Sequence, residues 1–162
     1  MSDDALRQLM AQGLSAMKAG GEVAARATAE ISQDASDPRL KAGLEEGNRK
    51  SEEWTRRLDR AVQQVGGDSG GTQDNPILEA HYEVSRRIRA QAPDAQSRDL
   101  GIIADGQLAT HYWIAAYGTM RAYAQQLGLS EVADDMQASL DDAKQADQAM
   151  NDIAAGVLRQ AA

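Results

Sequence analysis

Apolar and small residues recur every three or four positions along almost the whole chain, a spacing typical of helices that bury one face. No stretch alternates between apolar and polar positions for long enough to predict a strand. We therefore predict an all-α protein that is more than two-thirds helix. The predicted helices span residues 3–33, 37–66, 75–91, 95–128 and 130–158.

Helix start and stop signals support these boundaries. Asp37-Pro38 and Asn75-Pro76 each combine a capping side chain with a proline at the first helical position, and Gly128 suits a helix end. The Gly-rich stretch "GGDSGGTQD" separates the two halves of the chain. Two long helical hairpins joined by a short helix predict a ferritin-like four-helix bundle, formed by residues 1–162 as one domain.

Composition excludes several classes of function. The 162 residues contain 17 Lys and Arg against 25 Asp and Glu, a net charge of −8, which argues against nucleic acid as a partner. There is no cysteine, so thiol chemistry is excluded. The longest uncharged run, 106–120, is too short and too polar to span a bilayer, and the N-terminus lacks the features of a secretion signal. We expect a soluble, cytoplasmic protein that does not associate with membranes.

Three segments carry a resemblance to a known family: "THYWIAAYGTMRAYAQQLGL", "SLDDAKQADQAMNDIA" and "SDPRLKAGLEEGNRKSEEWTRRLDR". Together they resemble the YciE/YciF family of ferritin-like bacterial stress proteins, over residues 17–155. The resemblance implies a helical bundle and a homodimer. In typical members it also implies a dinuclear metal centre lined by carboxylates and histidines.

This chain departs from the family pattern at the positions that would bind metal. Thr110 and Trp113 replace the two glutamates that flank the retained "HY" of the helix at 95–128. The other altered positions are Arg49 and Lys50 in place of acids, Trp54 in place of His or Gln, and Ala143 in place of a second glutamate. Since two divalent cations need several anionic ligands, we predict no catalytic residues, no resident cofactor and no metal centre.

We expect the two indoles to replace the lost centre. Trp54 and Trp113 both lie on inward stripes, so they should be largely buried, share neighbours and act as core residues. Interior glycines would then make room for the tryptophans. These are Gly13, Gly20, Gly21, Gly43 and Gly47.

Some acidic and imidazole side chains stay available as ligands. Under an alternative hypothesis Glu22, His111, Asp142 and Asp147 still bind iron or another divalent metal. Asp147 lies on an apolar stripe, so it needs a partner, and Thr110, His111 and Lys50 are the candidates; an ion pair there could substitute for the metal.

A second histidine offers a weaker metal hypothesis. His81 is flanked by Glu79 and Glu83, but this alternating spacing does not place all three on one helix face, which argues against a metal site there. The charged strings "EEGNRKSEEWTRRLDR" and "DDAKQAD" are otherwise expected to face solvent.

Three functional hypotheses follow. The favoured one is a non-enzymatic, stress-associated dimeric protein with a scaffold or binding role, whose further protein partner the sequence does not name. The second is a residual iron-binding or ferroxidase-type protein. The third is a helical module whose short helix, with "SRRIR", docks an acidic partner surface.

Overall fold

A computed structural model describes residues 2–66 and 74–160. The chain forms five helices, α1 (Asp3–Asp34), α2 (Pro38–Val65), α3 (Pro76–Gln91), α4 (Ala95–Gln126) and α5 (Ser130–Gln160). These bounds lie within two residues of the predicted ones, and the starts of α1, α4 and α5 coincide with them. The prediction of an all-α protein is confirmed, because 91% of the described residues are helical and none lies in a strand. Most of the predicted Gly-rich connection, residues 67–73, lies outside the described residues.

The helices begin and end at the residues that the sequence indicates. The Asp37 carboxylate accepts a hydrogen bond from Arg39 N at 2.8 Å, and Asn75 Oδ1 accepts one from Leu78 N at 3.1 Å, each directly before a proline. Gly66 and Gly128 follow α2 and α4 with φ of 82° and 70°, a conformation that favours glycine. Within the described ranges, no helix has both the length and the apolar run needed to cross a membrane.

The helices pack as two antiparallel hairpins, α1–α2 and α4–α5, with α2 also against α5 and α1 against α4. The short helix α3 lies against α1 and α4. Buried apolar side chains form two separate cores, one at each end of the bundle. The first contains Met10, Leu14, Met17, Leu58, Ala61, Val62, Val65, Tyr117, Met120, Ala124, Val132, Ala133, Met136 and Leu140, and the second contains Ala35, Leu40, Leu44, Ile102, Ile103 and Val157.

The middle of the bundle, between the two cores, is built differently. Helix α2 has no buried residue between Leu44 and Leu58, and α5 has only Ala143 buried between Leu140 and Gly156. Most side chains of α2 and α5 in this layer are small or polar; Trp54 on α2 is an exception. The positions that the family resemblance assigns to a metal centre all lie here.

The five interior glycines do not make room for the tryptophans, so the prediction of that role is wrong. A Cβ at Gly13 would lie 2.8 Å from Met120 Cε, and one at Gly20 would lie 2.6 Å from Asn75 Nδ2. No tryptophan atom is among the nearest neighbours of any of the five predicted glycines. The two close approaches instead let α4 and the start of α3 pack tightly onto α1.

A buried carboxylate on α4 accepts hydrogen bonds from the backbone of the segment that connects α1 and α2. Asp99 of α4 accepts hydrogen bonds from the backbone N–H groups of Ser36 and Asp37, at 2.8 and 2.7 Å, and its own side chain is buried. Since Asp37 caps α2, Asp99 positions the start of that helix.

We expect Asp99→Ala to lower the free energy of unfolding by about 2–3 kcal/mol, because it leaves the buried N–H of Asp37 and the part-buried N–H of Ser36 without an acceptor. Urea denaturation followed by circular dichroism measures this. The matched control is Asp94→Ala, which removes the exposed cap of α4 and should cost only about 1 kcal/mol. Equal losses in the two variants would contradict the role assigned to Asp99.

Candidate functional site

Four side chains of α2 and α5 meet in the middle layer of the bundle. Lys50, Trp54 and Arg57 lie one helical turn apart on α2 and point at Asp142 on α5. Lys50 Nζ donates to Asp142 Oδ1 at 3.0 Å. Trp54 Nε1 and Arg57 Nη1 donate to Oδ2 at 3.1 and 2.9 Å. We call these four residues the Asp142 cluster.

The Asp142 cluster is shielded from solvent on its inner side. The side chain of Arg57 is 12% exposed and that of Asp142 is 21% exposed. Arg57 Nη1 also lies 3.3 Å from the hydroxyl of buried Ser139. Burial opposes ionisation of Asp142, but hydrogen bonds from Arg57, Trp54 and Lys50 outweigh it and lower the pKa of this carboxyl. Asp142 is therefore a carboxylate whose charge two cations already neutralise.

An aromatic group on α4 lies next to the Asp142 cluster. The ring of Trp113 stacks on that of Tyr117, with centroids 5.6 Å apart, and meets the ring of Tyr112 edge-on at 5.2 Å. Burial raises the pKa of the Tyr117 hydroxyl. The nearby charge of Arg57 lowers this pKa, whereas the charge of Asp142 raises it further. Trp113 packs against the first core. The aromatic group thus joins that core to the polar middle layer.

A second polar group links α4 to α5 at the edge of the bundle. His111 Nε2 lies 3.3 Å from Asp147 Oδ1, and Gln107 Nε2 donates to the same oxygen at 3.2 Å. Gln107 also donates to Asn151 Oδ1 at 3.0 Å. The His111 side chain is 64% exposed. This group therefore lies at the surface rather than in a closed cavity.

The prediction for the partners of Asp147 is correct only for His111. Lys50 bonds to Asp142 instead, and the Thr110 hydroxyl donates to Gly106 O of its own helix at 2.9 Å. An ion pair does form in the middle layer, but it belongs to Asp142. Spacing alone did not reveal this, because Asp142 and Asp147 lie on neighbouring stripes of α5 and only the register of α2 against α5 decides between them.

Trp54 and Trp113 are each partly buried, with intermediate exposure, so neither is a fully buried core residue. Trp54 lies at the edge because its N–H needs an acceptor, which Asp142 provides. Trp113 lies at the rim of the first core, against Tyr117. Trp54 therefore belongs to the Asp142 cluster, whereas Trp113 belongs to the aromatic group on α4.

Arg57 is the residue that the sequence analysis missed. It lies within the string "EEGNRKSEEWTRRLDR", which was expected to face solvent, yet its side chain is largely buried. Arg57 lies three residues after Trp54 and therefore on the same side of α2. This spacing is the feature of the sequence that indicates an inward position for Arg57.

The remaining candidate site residues do not lie close to one another. Glu22 is exposed on α1, whereas Ala143 is buried on α5. His81 does not join Glu79 and Glu83. Its Nε2 instead lies 2.8 Å from Asp105 O and 3.2 Å from Asp105 Oδ1, while Glu79 pairs with Arg26.

The residues of the middle layer do not fit a dinuclear metal centre. In the described part of the chain, no three His, Asp or Glu side chains lie close enough together to hold a metal ion. Both oxygens of Asp142 accept hydrogen bonds from cationic side chains. Lys50 and Arg57 therefore place positive charge at the point where a metal ion would need negative charge.

Comparison with known proteins agrees with this architecture. The chain is 25% identical over 129 residues to protein YciF of Escherichia coli K12, covering 80% of this chain and 78% of that protein. The crystal structure of the E. coli stress protein YciF superposes with a TM-score of 0.88 at 22% identity, over 95% of this chain and 97% of that one. The structure of YcfI from Rhodopseudomonas palustris, described as a structural protein, superposes with a TM-score of 0.85 at 23% identity, over 90% and 92%.

The ferritin-like helical fold is thus confirmed. A family model described as a domain of unknown function, DUF892, matches residues 5–162. The chain therefore belongs to the DUF892 family, which includes relatives of the YciF type.

Proposed function

We propose that this chain is a non-enzymatic, stress-associated structural protein in which the Asp142 cluster takes the place of a metal centre. The observation that carries the proposal is that Lys50, Trp54 and Arg57 together occupy both oxygens of Asp142. The description of E. coli YciF as a stress protein, and of the R. palustris relative as structural, supports the same class of role.

The physical basis is charge compensation between helices. A dinuclear centre stabilises a bundle because carboxylates from several helices share two cations. In this chain the amine of Lys50 and the guanidinium of Arg57 supply the positive charge from α2 to α5. The cross-link between the two hairpins is kept, while the open coordination positions that redox chemistry with iron requires are not provided.

The residual iron-binding hypothesis has less support. Its four candidate ligands lie in three separate places: Glu22 is exposed on α1, Asp142 is engaged with α2, and His111 pairs with Asp147 at the surface. The partner-binding hypothesis for "SRRIR" is also weakened. Arg89 is buried and paired with Glu30 and Asp34 of its own chain, so it does not present its charge to an acidic partner.

We further propose that the protein acts as a homodimer. The family resemblance supports this.

Titration with divalent metals tests the proposed function. Because a ligand that binds only the folded state raises the melting temperature by mass action, Fe²⁺, Mn²⁺ and Zn²⁺ at millimolar concentration should leave the melting temperature unchanged. Under air, Fe²⁺ should oxidise no faster with the protein than in buffer.

The matched control for this titration is Asp142→Ala, which cannot use the Asp142 carboxylate as a ligand. A rise in melting temperature, or accelerated Fe²⁺ oxidation, in the parent but not in Asp142→Ala would contradict the proposal.

A further inference from the structure

Helix α3 packs onto the bundle with few buried apolar side chains. Of its 16 residues, all of them described, three are buried, namely Leu78, Ser85 and Arg89. Neither hydrophobic core contains a buried residue of α3 in the described part of the chain. Asn75 at its start and Arg89 near its end instead form hydrogen bonds to α1. The packing of α3 therefore depends on polar contacts to a greater extent than that of the four long helices.

Asp105 of α4 places a buried carboxyl against α3. This residue is 5% exposed, and its Oδ1 accepts no hydrogen bond from any described residue. The buried side chain of Ser85 forms a hydrogen bond with the same carboxyl. His81 Nε2 lies 3.2 Å from Oδ1 and 2.8 Å from the backbone oxygen of Asp105. We call His81, Ser85 and Asp105 the Asp105 group.

The contact with the backbone oxygen fixes one proton of His81. A carbonyl oxygen can only accept, so the Nε2–H of His81 donates to Asp105 O. This bond forms whether the imidazole is neutral or charged, because the charge arises only when Nδ1 is protonated as well. Asp105 therefore faces a cation across α3 and α4 only when His81 carries the second proton. The His81 side chain is 21% exposed, which gives this proton a route to solvent.

The other charges around the Asp105 group are already paired. Arg89 attracts the Asp105 carboxylate, but its two terminal nitrogens donate to carboxylates of α1 at 2.7 and 2.8 Å. The acidic side chains of the neighbouring elements also have cationic or imidazole partners of their own. The pairs within the described residues are Glu30 and Asp34 with Arg89, Glu79 with Arg26, Glu83 with Arg86, and Asp147 with His111.

We propose that the Asp105 group is a proton-dependent contact that holds α3 on the bundle at acidic pH and weakens as the pH rises. A buried carboxyl is stable when it is protonated itself or when a cation lies beside it. One proton bound by Asp105 or His81 meets this need, since groups in contact titrate as a pair. Loss of that proton leaves a buried negative charge, and α3 separates more readily from α1 and α4. The inference uses no residue of the Asp142 cluster.

The direction of the pH effect follows from burial. Burial raises the pKa of the Asp105 carboxyl, although His81, Ser85 and Arg89 act in the opposite direction. The folded state therefore binds this proton more tightly than the unfolded state. Its contribution to stability is complete below the ordinary aspartate pKa, about 3.9, and is lost as the pH rises through the higher folded-state value. Asp142, whose pKa is lowered, has the opposite dependence.

Hydrogen exchange measured by mass spectrometry between pH 4.5 and pH 7 tests the proposal. The readout is the protection factor of the α3 amides relative to that of the α2 amides, each corrected for the intrinsic exchange rate at that pH. In the parent this ratio should fall by about 5- to 10-fold as the pH rises, because opening of α3 is linked to release of one proton. In Asp105→Asn, which removes the charge but keeps the shape of the side chain, the ratio should change by less than about 2-fold.

Two further variants make the result specific. His81→Gln retains an N–H donor but cannot become charged, so the fall should shift to lower pH because the carboxyl alone then binds the proton. Asp147→Asn neutralises the other His–Asp pair, in which His111 is exposed, and should keep the parent profile. A ratio in the parent that is constant with pH would overturn the proposal. A parent-like fall in Asp105→Asn, or an unshifted one in His81→Gln, would do the same.

Discussion

Trp113→Ala should lower the free energy of unfolding by about 3 kcal/mol, at the lower end of the range for removal of a large aromatic side chain. Trp113 packs against the first core and stacks on Tyr117, so the substitution removes apolar contact and one ring pair. The lower end applies because the indole is partly exposed. Chemical denaturation measures the change, and Trp113→Phe, which keeps a stacked ring, should lose about half as much.

Trp113→Glu distinguishes a core role from a vacant ligand position. With no metal to neutralise it, a carboxylate beside buried Tyr117 should destabilise the fold by at least as much as the alanine substitution, about 3 kcal/mol or more. Added Mn²⁺ or Zn²⁺ should not restore the stability. A Trp113→Glu variant as stable as the parent, or one rescued by metal, would contradict this interpretation.

Asp142→Ala should lower the free energy of unfolding by about 2–3 kcal/mol, since it leaves the largely buried guanidinium of Arg57 and the indole N–H of Trp54 without their acceptor. The neighbouring variant Asp141→Ala is the matched control, because Asp141 is exposed, and it should change stability by less than about 0.5 kcal/mol. A double-mutant cycle with Arg57→Ala should give a coupling of about 1–2 kcal/mol.

The stabilisation from Asp142 should depend on pH in a defined direction. Since folding lowers the pKa of this carboxyl, its contribution is present above the ordinary aspartate pKa, about 3.9, and is lost as the pH falls through the lower folded-state value. The difference in stability between the parent and Asp142→Asn should therefore be constant from pH 5 to 7 and shrink below pH 4. A difference that grows on acidification would contradict the ion-pair account.

The fold could be predicted from the sequence because its determinants are local. A capping side chain followed by proline, as at Asp37 and Asn75, specifies a helix start through backbone hydrogen bonds within four residues. The three- and four-residue spacing of apolar side chains identifies the buried face of each helix. Neither signal depends on how the helices are placed relative to one another.

The side-chain pairings of the candidate site could not be predicted in the same way. Lys50 and Asp142 are 92 positions apart, and their contact depends on the register of α2 against α5. The apolar stripe of α5 favours Asp147 as the buried acid, but a small difference in the register of α2 against α5 pairs Lys50 with Asp142 instead. Arg57 was overlooked because an arginine in a charged string usually faces solvent, and only the packing of α5 over it buries its stem.

The tryptophans illustrate a second limit of sequence patterns. An inward stripe does not separate a fully buried ring from one at the rim of the core. The N–H of Trp54 needs a polar acceptor, which favours a place beside Asp142, whereas Trp113 finds its partners in the rings of Tyr112 and Tyr117. Both still lie beside the middle layer where the family resemblance expects a metal centre.

Elemental analysis of the protein purified from cells grown with added iron and manganese tests the central claim most directly. Because Lys50 and Arg57 neutralise Asp142 and the other acids lie apart, the account predicts well below one metal ion per chain, with no anomalous scattering peak between α2 and α5. Close to two metal ions per chain, located by anomalous scattering in the middle layer of the bundle, would contradict it.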